Sequence, residues 1–79
     1  MFTAVTAQIT PVVHVIKTVN YRVQITADSL RYRSGPGTSY AINGTLKKNQ
    51  VYTIVQEDGE WGKLKSGAGW INLNYTKKV

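Results

Sequence analysis

Hydrophobic and polar positions alternate over short stretches of this chain, and glycine, proline and asparagine interrupt the alternation again and again. Tyr21-Arg22-Val23-Gln24-Ile25-Thr26 has the two-residue period of a strand buried on one face. Leu30-Arg31-Tyr32-Arg33 repeats it, with Leu30 and Tyr32 on one side and both arginines on the other. Val51-Tyr52-Thr53-Ile54-Val55 is rich in β-branched and aromatic side chains and is the strongest strand by composition. Ile42-Asn43-Gly44-Thr45-Leu46, Trp61-Gly62-Lys63-Leu64-Lys65 and Trp70-Ile71 predict shorter strands. Upstream, Val12 to Val19 is dense in β-branched residues and predicts another strand, its edge marked by Pro11. Asn72-Leu73-Asn74-Tyr75 predicts a single turn, of 3₁₀ type.

The breaks are as informative as the strands. Ser34-Gly35-Pro36-Gly37-Thr38-Ser39 cannot be a helix or a central strand, because two glycines flank a proline. Lys47-Lys48-Asn49-Gln50 is a polar turn, Glu57-Asp58-Gly59-Glu60 a hairpin turn, and Ser66-Gly67-Ala68-Gly69 a further turn. No amphipathic helix of useful length is present. Short strands roughly 8–12 residues apart, joined by glycine turns, predict an all-β fold. A small barrel is preferred to a two-sheet sandwich, because closure removes edges that so short a chain could not cover.

Composition narrows the function. The chain has 79 residues, enough for one small domain with a thin core. It has no cysteine, one histidine (His14) and four acidic side chains (Asp28, Glu57, Asp58, Glu60). A Ser-His-Asp or Cys-His site needs a positioned base, and His14 is the only imidazole. Metal hydrolases need three or more converging ligands. No catalytic group, metal site or cofactor is therefore expected, and the chain reads as a binder. Ten Lys and Arg against four acids give a net charge of +6, which favours an anionic partner. No segment approaches the roughly 20 apolar residues of a membrane span. Met1 to Gln8 lacks a basic stretch followed by an apolar run, and is not read as a secretory leader.

From Tyr21 to Tyr75 the order of features resembles bacterial SH3 domains (SH3b). Leu30-Arg31-Tyr32-Arg33-Ser34-Gly35-Pro36-Gly37-Thr38-Ser39-Tyr40 resembles their opening signature, a strand ending in Arg-Ser-Gly-Pro before a loop with Ser or Thr and an aromatic. Gly44-Thr45-Leu46-Lys47-Lys48, Tyr52 to Val55, Trp61, Gly69-Trp70-Ile71 and Asn74-Tyr75 follow in the family's order. The closing stretch also resembles the end of eukaryotic SH3 domains, where a proline usually stands in place of Asn72. That departure, and the lack of an acidic arginine-reading loop, argue against recognition of Pro-rich peptides.

The resemblance implies a small SH3-like barrel of five to seven short antiparallel strands. It divides the chain into a domain over 21–79 and an N-terminal β extension or assembly segment over 1–20. It implies a non-catalytic module that targets a peptidoglycan hydrolase, such as a phage endolysin, to the Gram-positive wall. The ligand would be peptidoglycan peptide or an associated wall polymer, and the partner a catalytic domain in cis or in trans. Action is then extracellular, at the bacterial wall. The alternative is an SH3-like barrel that binds nucleic acid through its basic surface. Exposed aromatics interleaved with basic side chains on one strand face are not evident, which weighs against it.

The candidate ligand-binding residues are Tyr32, Ser34, Ser39, Tyr40, Glu60, Trp61, Trp70 and Tyr75. Tyr75 matches the tyrosine that lines the groove of SH3-type folds, and Trp61 follows the turn where such folds place a groove ring. Each has packing as its plain alternative. Trp70, between Gly69 and Ile71, also reads as core or sheet packing. Tyr40 sits in a polar loop, where an exposed ring points to function. Ser34, Thr38 and Ser39 can donate to ligand carbonyls or bond local backbone. Glu60 can meet an amine or simply face solvent. Arg33 reads as structural, its guanidinium holding carbonyls of the loop that follows it. Residues 1–20 carry more apolar surface than a linker should. They can complete the barrel, pair with a parent domain, or join copies of the chain.

Overall fold

The computed structural model describes residues 16–79. Over them the fold is all-β, and the expected SH3-like architecture is borne out with seven strands in one antiparallel sheet. The strands are β1 (Ile16–Ile25), β2 (Ser29–Arg33), β3 (Ile42–Lys47), β4 (Val51–Asp58), β5 (Trp61–Leu64), β6 (Trp70–Asn72) and β7 (Thr76–Lys78). Their order across the sheet is β3-β2-β6-β5-β4-β1-β7. A 3₁₀ turn over Leu73–Tyr75 joins β6 to β7, where the sequence predicted one.

One sheet makes one core because it coils on itself. Val23 and Ile25 from β1, Leu30 from β2, Leu46 from β3, Ile54 from β4, Leu64 from β5 and Ile71 from β6 form a single buried cluster. In β1 and β2 these are inward positions of the alternation read from the sequence, and the polar residues between them lie on the other face. Backbone bonds carry the β1–β4 ladder past the strand end into the turn before β4: Ile25 N–H donates to Gln50 O (2.9 Å), and Asn49 N–H donates to Ile25 O (2.8 Å). Asn49 occupies the left-handed region in that turn (φ 74°), which asparagine tolerates.

Backbone approaches backbone closely at Gly69, just before β6. A Cβ there would collide with the carbonyl oxygen of Arg33. Beside it, β2 and β6 meet through one bridge, Arg33 opposite Trp70. Glycine before Trp70 is thus what lets β6 reach β2.

The expected boundary between residues 20 and 21 falls inside β1. Where two strands were predicted on either side of Asn20, one strand runs through, with an irregularity between Thr18 and Tyr21. Ile16, Lys17 and Thr18 pair with Asp58, Glu57 and Gln56 of β4. Residues 16–20 therefore belong to the sheet. The irregularity absorbs the break in alternation that made the stretch read as two pieces. The rest of the expected extension, His14 included, lies outside the described residues.

Candidate functional site

A groove of about 330 Å³ opens on one side of the barrel. β2 supplies Ser29, Leu30, Arg31 and Arg33, and the loop after it supplies Thr38. Across from them stand Trp61 at the start of β5, Asn72 at the end of β6, and Tyr75 in the 3₁₀ turn. Trp61 and Asn72 are register partners, so one crossing of the sheet fixes the ring beside the amide.

The turn that carries Tyr75 is braced on three sides. Asn72 Oδ1 accepts from Asn74 N–H (2.9 Å), capping the turn. Leu73 N–H donates to Glu60 O (2.7 Å), and Asn74 Nδ2 donates to Glu60 Oε1 (2.6 Å). Thr26 N–H donates to Tyr75 O (2.9 Å). Tyr75 is nevertheless 51% exposed. Its backbone is fixed and its ring is open to solvent, the arrangement a groove wall requires.

The opposite wall is held by Arg33, as its sequence context suggested. Its Nη1 donates to Thr38 O (3.0 Å) and to Tyr40 O (3.1 Å). Ser34 N–H donates to Ala41 O (2.9 Å), closing the loop at its base. Inside the loop the Tyr40 ring lies over Gly35, where it fills the space a Cβ would need, and near Gly37. The Gly-Pro-Gly run thus gives the ring its seat. Tyr40 keeps 46% of its surface exposed.

Of the eight candidates, the groove brings together Trp61 and Tyr75. Glu60 stands beside them and positions the turn that carries Tyr75. Ser34, Ser39 and Tyr40 belong to the loop behind Thr38 and are not among the lining residues. Tyr32 turns inward, half-buried, with its ring over Gly44 and packed against the core cluster. Trp70 is 8% exposed. Its neighbour Ile71 faces the core, so Trp70 lies on the other face of β6, in a row with Arg33 and Lys63. It packs in the sheet, the plainer of its two expected roles.

The eight candidates left out Ser29, Leu30, Arg31, Arg33, Thr38 and Asn72. Alternation did place Arg31 and Arg33 on one face, a usable sign of a basic strip. Nothing local marks Ser29. The groove lining carries two arginines and no carboxylate, so this surface is cationic. Among the described residues no group of three or more His, Cys, Asp or Glu could hold a metal ion. No helix among them is long and apolar enough to cross a membrane.

The comparisons with known proteins agree with this geometry. A family model described as the bacterial SH3 domain matches residues 26–77, about two thirds of the chain. A relative from Bacillus subtilis (strain 168), named "Putative N-acetylmuramoyl-L-alanine amidase YrvJ", is 44% identical over 45 residues. That match covers 57% of this chain and 9% of the relative, so the chain spans a small fraction of that protein's length. No solved structure matches the chain. The sheet, the Arg-Ser-Gly-Pro loop, the groove that Trp61 and Tyr75 line and the matched residues lead to one conclusion: the chain belongs to the bacterial SH3 domain family.

Proposed function

We propose that this chain is a non-catalytic module that holds a peptidoglycan hydrolase on the bacterial wall, by binding wall peptide in the groove between Trp61 and Tyr75. The observation that carries the reading is that groove, in a domain of this family. Rings on braced backbone offer contact area at small entropic cost, which suits a flexible peptide. Backbone groups and the Ser29, Thr38 and Asn72 side chains supply polar partners beside them. The relative's name speaks of an amidase, and the match spans 9% of it, which supports a division of labour between a small binding unit and a larger remainder. The +6 charge suits a wall that carries anionic polymers. Within this reading the parent protein is a lysin of the phage endolysin kind and the target a Gram-positive wall. The segment before β1 serves as an assembly or docking surface, and a monomer mass by light scattering of the full chain would contradict self-assembly.

The test is co-sedimentation of the fluorescently labelled full chain with purified sacculi from a panel of species, before and after extraction of teichoic acids. Binding that persists after extraction, and weakens only moderately with salt, is expected. Loss of all binding on extraction would assign recognition to the polymer. Failure on every wall, together with steeply salt-dependent retention of nucleic acid on filters, would replace this reading with the nucleic-acid one.

A further inference from the structure

The groove has a polarity that peptide binding alone does not explain. Arg31 and Arg33 both line it, and no carboxylate lines it with them. Arg33 is committed to the loop through Thr38 O and Tyr40 O. Arg31 is different. It is exposed, and its side chain makes no hydrogen bond or ion pair with another described residue. Its backbone is fixed nonetheless, in β2 opposite Thr45 of β3. A guanidinium whose donors meet no other described residue, rooted in a strand and facing a groove with hydroxyls at Ser29 and Thr38, is built to receive an oxyanion.

We propose that Arg31 grips a carboxylate of the wall peptide while Trp61 and Tyr75 hold the peptide chain. The proposal rests on the wall-peptide reading above and names the chemical group that orients the ligand. A carboxylate is favoured over a polymer phosphate for two reasons. A phosphate polymer engages a run of cations, yet no lysine lines the groove, and one of its two arginines is already occupied. The planar fork of Arg31 also matches a carboxylate in two parallel bonds, giving orientation as well as attraction.

The test uses soluble peptide fragments released from polymer-stripped walls, either untreated or with their carboxyl groups amidated by carbodiimide and ammonia. Binding is measured by fluorescence anisotropy with the full chain and with its Arg31→Ala, Arg31→Lys and Trp61→Ala variants, each first checked for an unchanged melting curve. Wild type should bind untreated fragments about tenfold more tightly than amidated ones, the loss expected of one charge-assisted contact at a partly exposed site. Arg31→Ala should bind both fragments equally, at the level of wild type on the amidated ones. Arg31→Lys should recover only part of the difference. Equal binding of both fragments by wild type, or an amidation effect that survives in Arg31→Ala, would overturn the proposal. If in either case Trp61→Ala still abolished binding, the wall-peptide reading would stand without it. Binding by wild type only to walls that retain their phosphate polymer would overturn both.

Discussion

Gly69→Ala strains the fold where β6 meets β2, beside the site. The added Cβ meets Arg33 at its carbonyl oxygen, with the Arg33 carbonyl carbon at 3.2 Å and its nitrogen at 3.4 Å. These are backbone atoms of β2, so no side chain can swing away. The strands must part at the single Arg33–Trp70 bridge, which joins β3-β2 to the rest of the sheet. Overpacking a rigid site costs about 1–3 kcal/mol, and weakening a ladder bond adds about 1 kcal/mol. A total of about 3 kcal/mol would lower the melting temperature of so small a domain by roughly 12–24 °C. The assay is thermal unfolding of the full chain followed by circular dichroism, with Gly67→Ala as the reference. Gly67 has a positive φ (82°) and open space where its Cβ would stand. Its substitution should therefore carry only the left-handed penalty, about 1 kcal/mol. The reasoning fails if Gly69→Ala melts no lower than Gly67→Ala.

Three further outcomes follow from the same geometry. Ile54 is fully buried in the cluster, and Ile54→Ala should cost about 2–5 kcal/mol, read as a fall in the urea midpoint. Arg33→Ala should release the loop from Thr38 O and Tyr40 O; amide exchange over residues 34–41 should speed up while global stability falls by about 1 kcal/mol. Burial first, and then the Glu57 carboxylate that accepts its hydrogen bond, push the Tyr21 hydroxyl from 10.0 up to about 12. A raised value means that the folded state holds the proton longer. The stabilisation is complete below pH 10 and is lost as the pH rises from about 10 to about 12. Tyr21→Phe should remove that alkaline loss, seen as a smaller drop in melting temperature between pH 9 and pH 12.

The strands were legible because each is a run of alternation with a branched or aromatic centre. Val23 and Ile25 were readable as one face of an alternating strand, and Leu30 with Tyr32 as one face of another. The continuous β1 was not, because the irregularity between Thr18 and Tyr21 shifts the period that such a reading depends on. Two of the eight residues that line the groove, Trp61 and Tyr75, were readable from residue types and order. Most of the rest was hidden by long-range pairing. Ser29 and Arg31 look like outward residues of an ordinary strand until β2 is set beside β6. Tyr40 stands apart from the groove lining for a local reason, because its ring folds back on Gly35. The packing reading of Trp70 comes from its place between Gly69 and Ile71, and the residue is buried in the sheet with Arg33 and Lys63 as register partners.

The central claim is that the groove between Trp61 and Tyr75 binds wall peptide. The most direct measurement is the affinity of the full chain and its Trp61→Ala variant for polymer-stripped sacculi, with melting curves recorded on both. Removing a central ring anchor costs about 2 kcal/mol, roughly thirtyfold in affinity. The account predicts that loss in Trp61→Ala at an unchanged fold. Equal affinity of the two proteins, or no affinity of the native chain for any stripped wall, would contradict it.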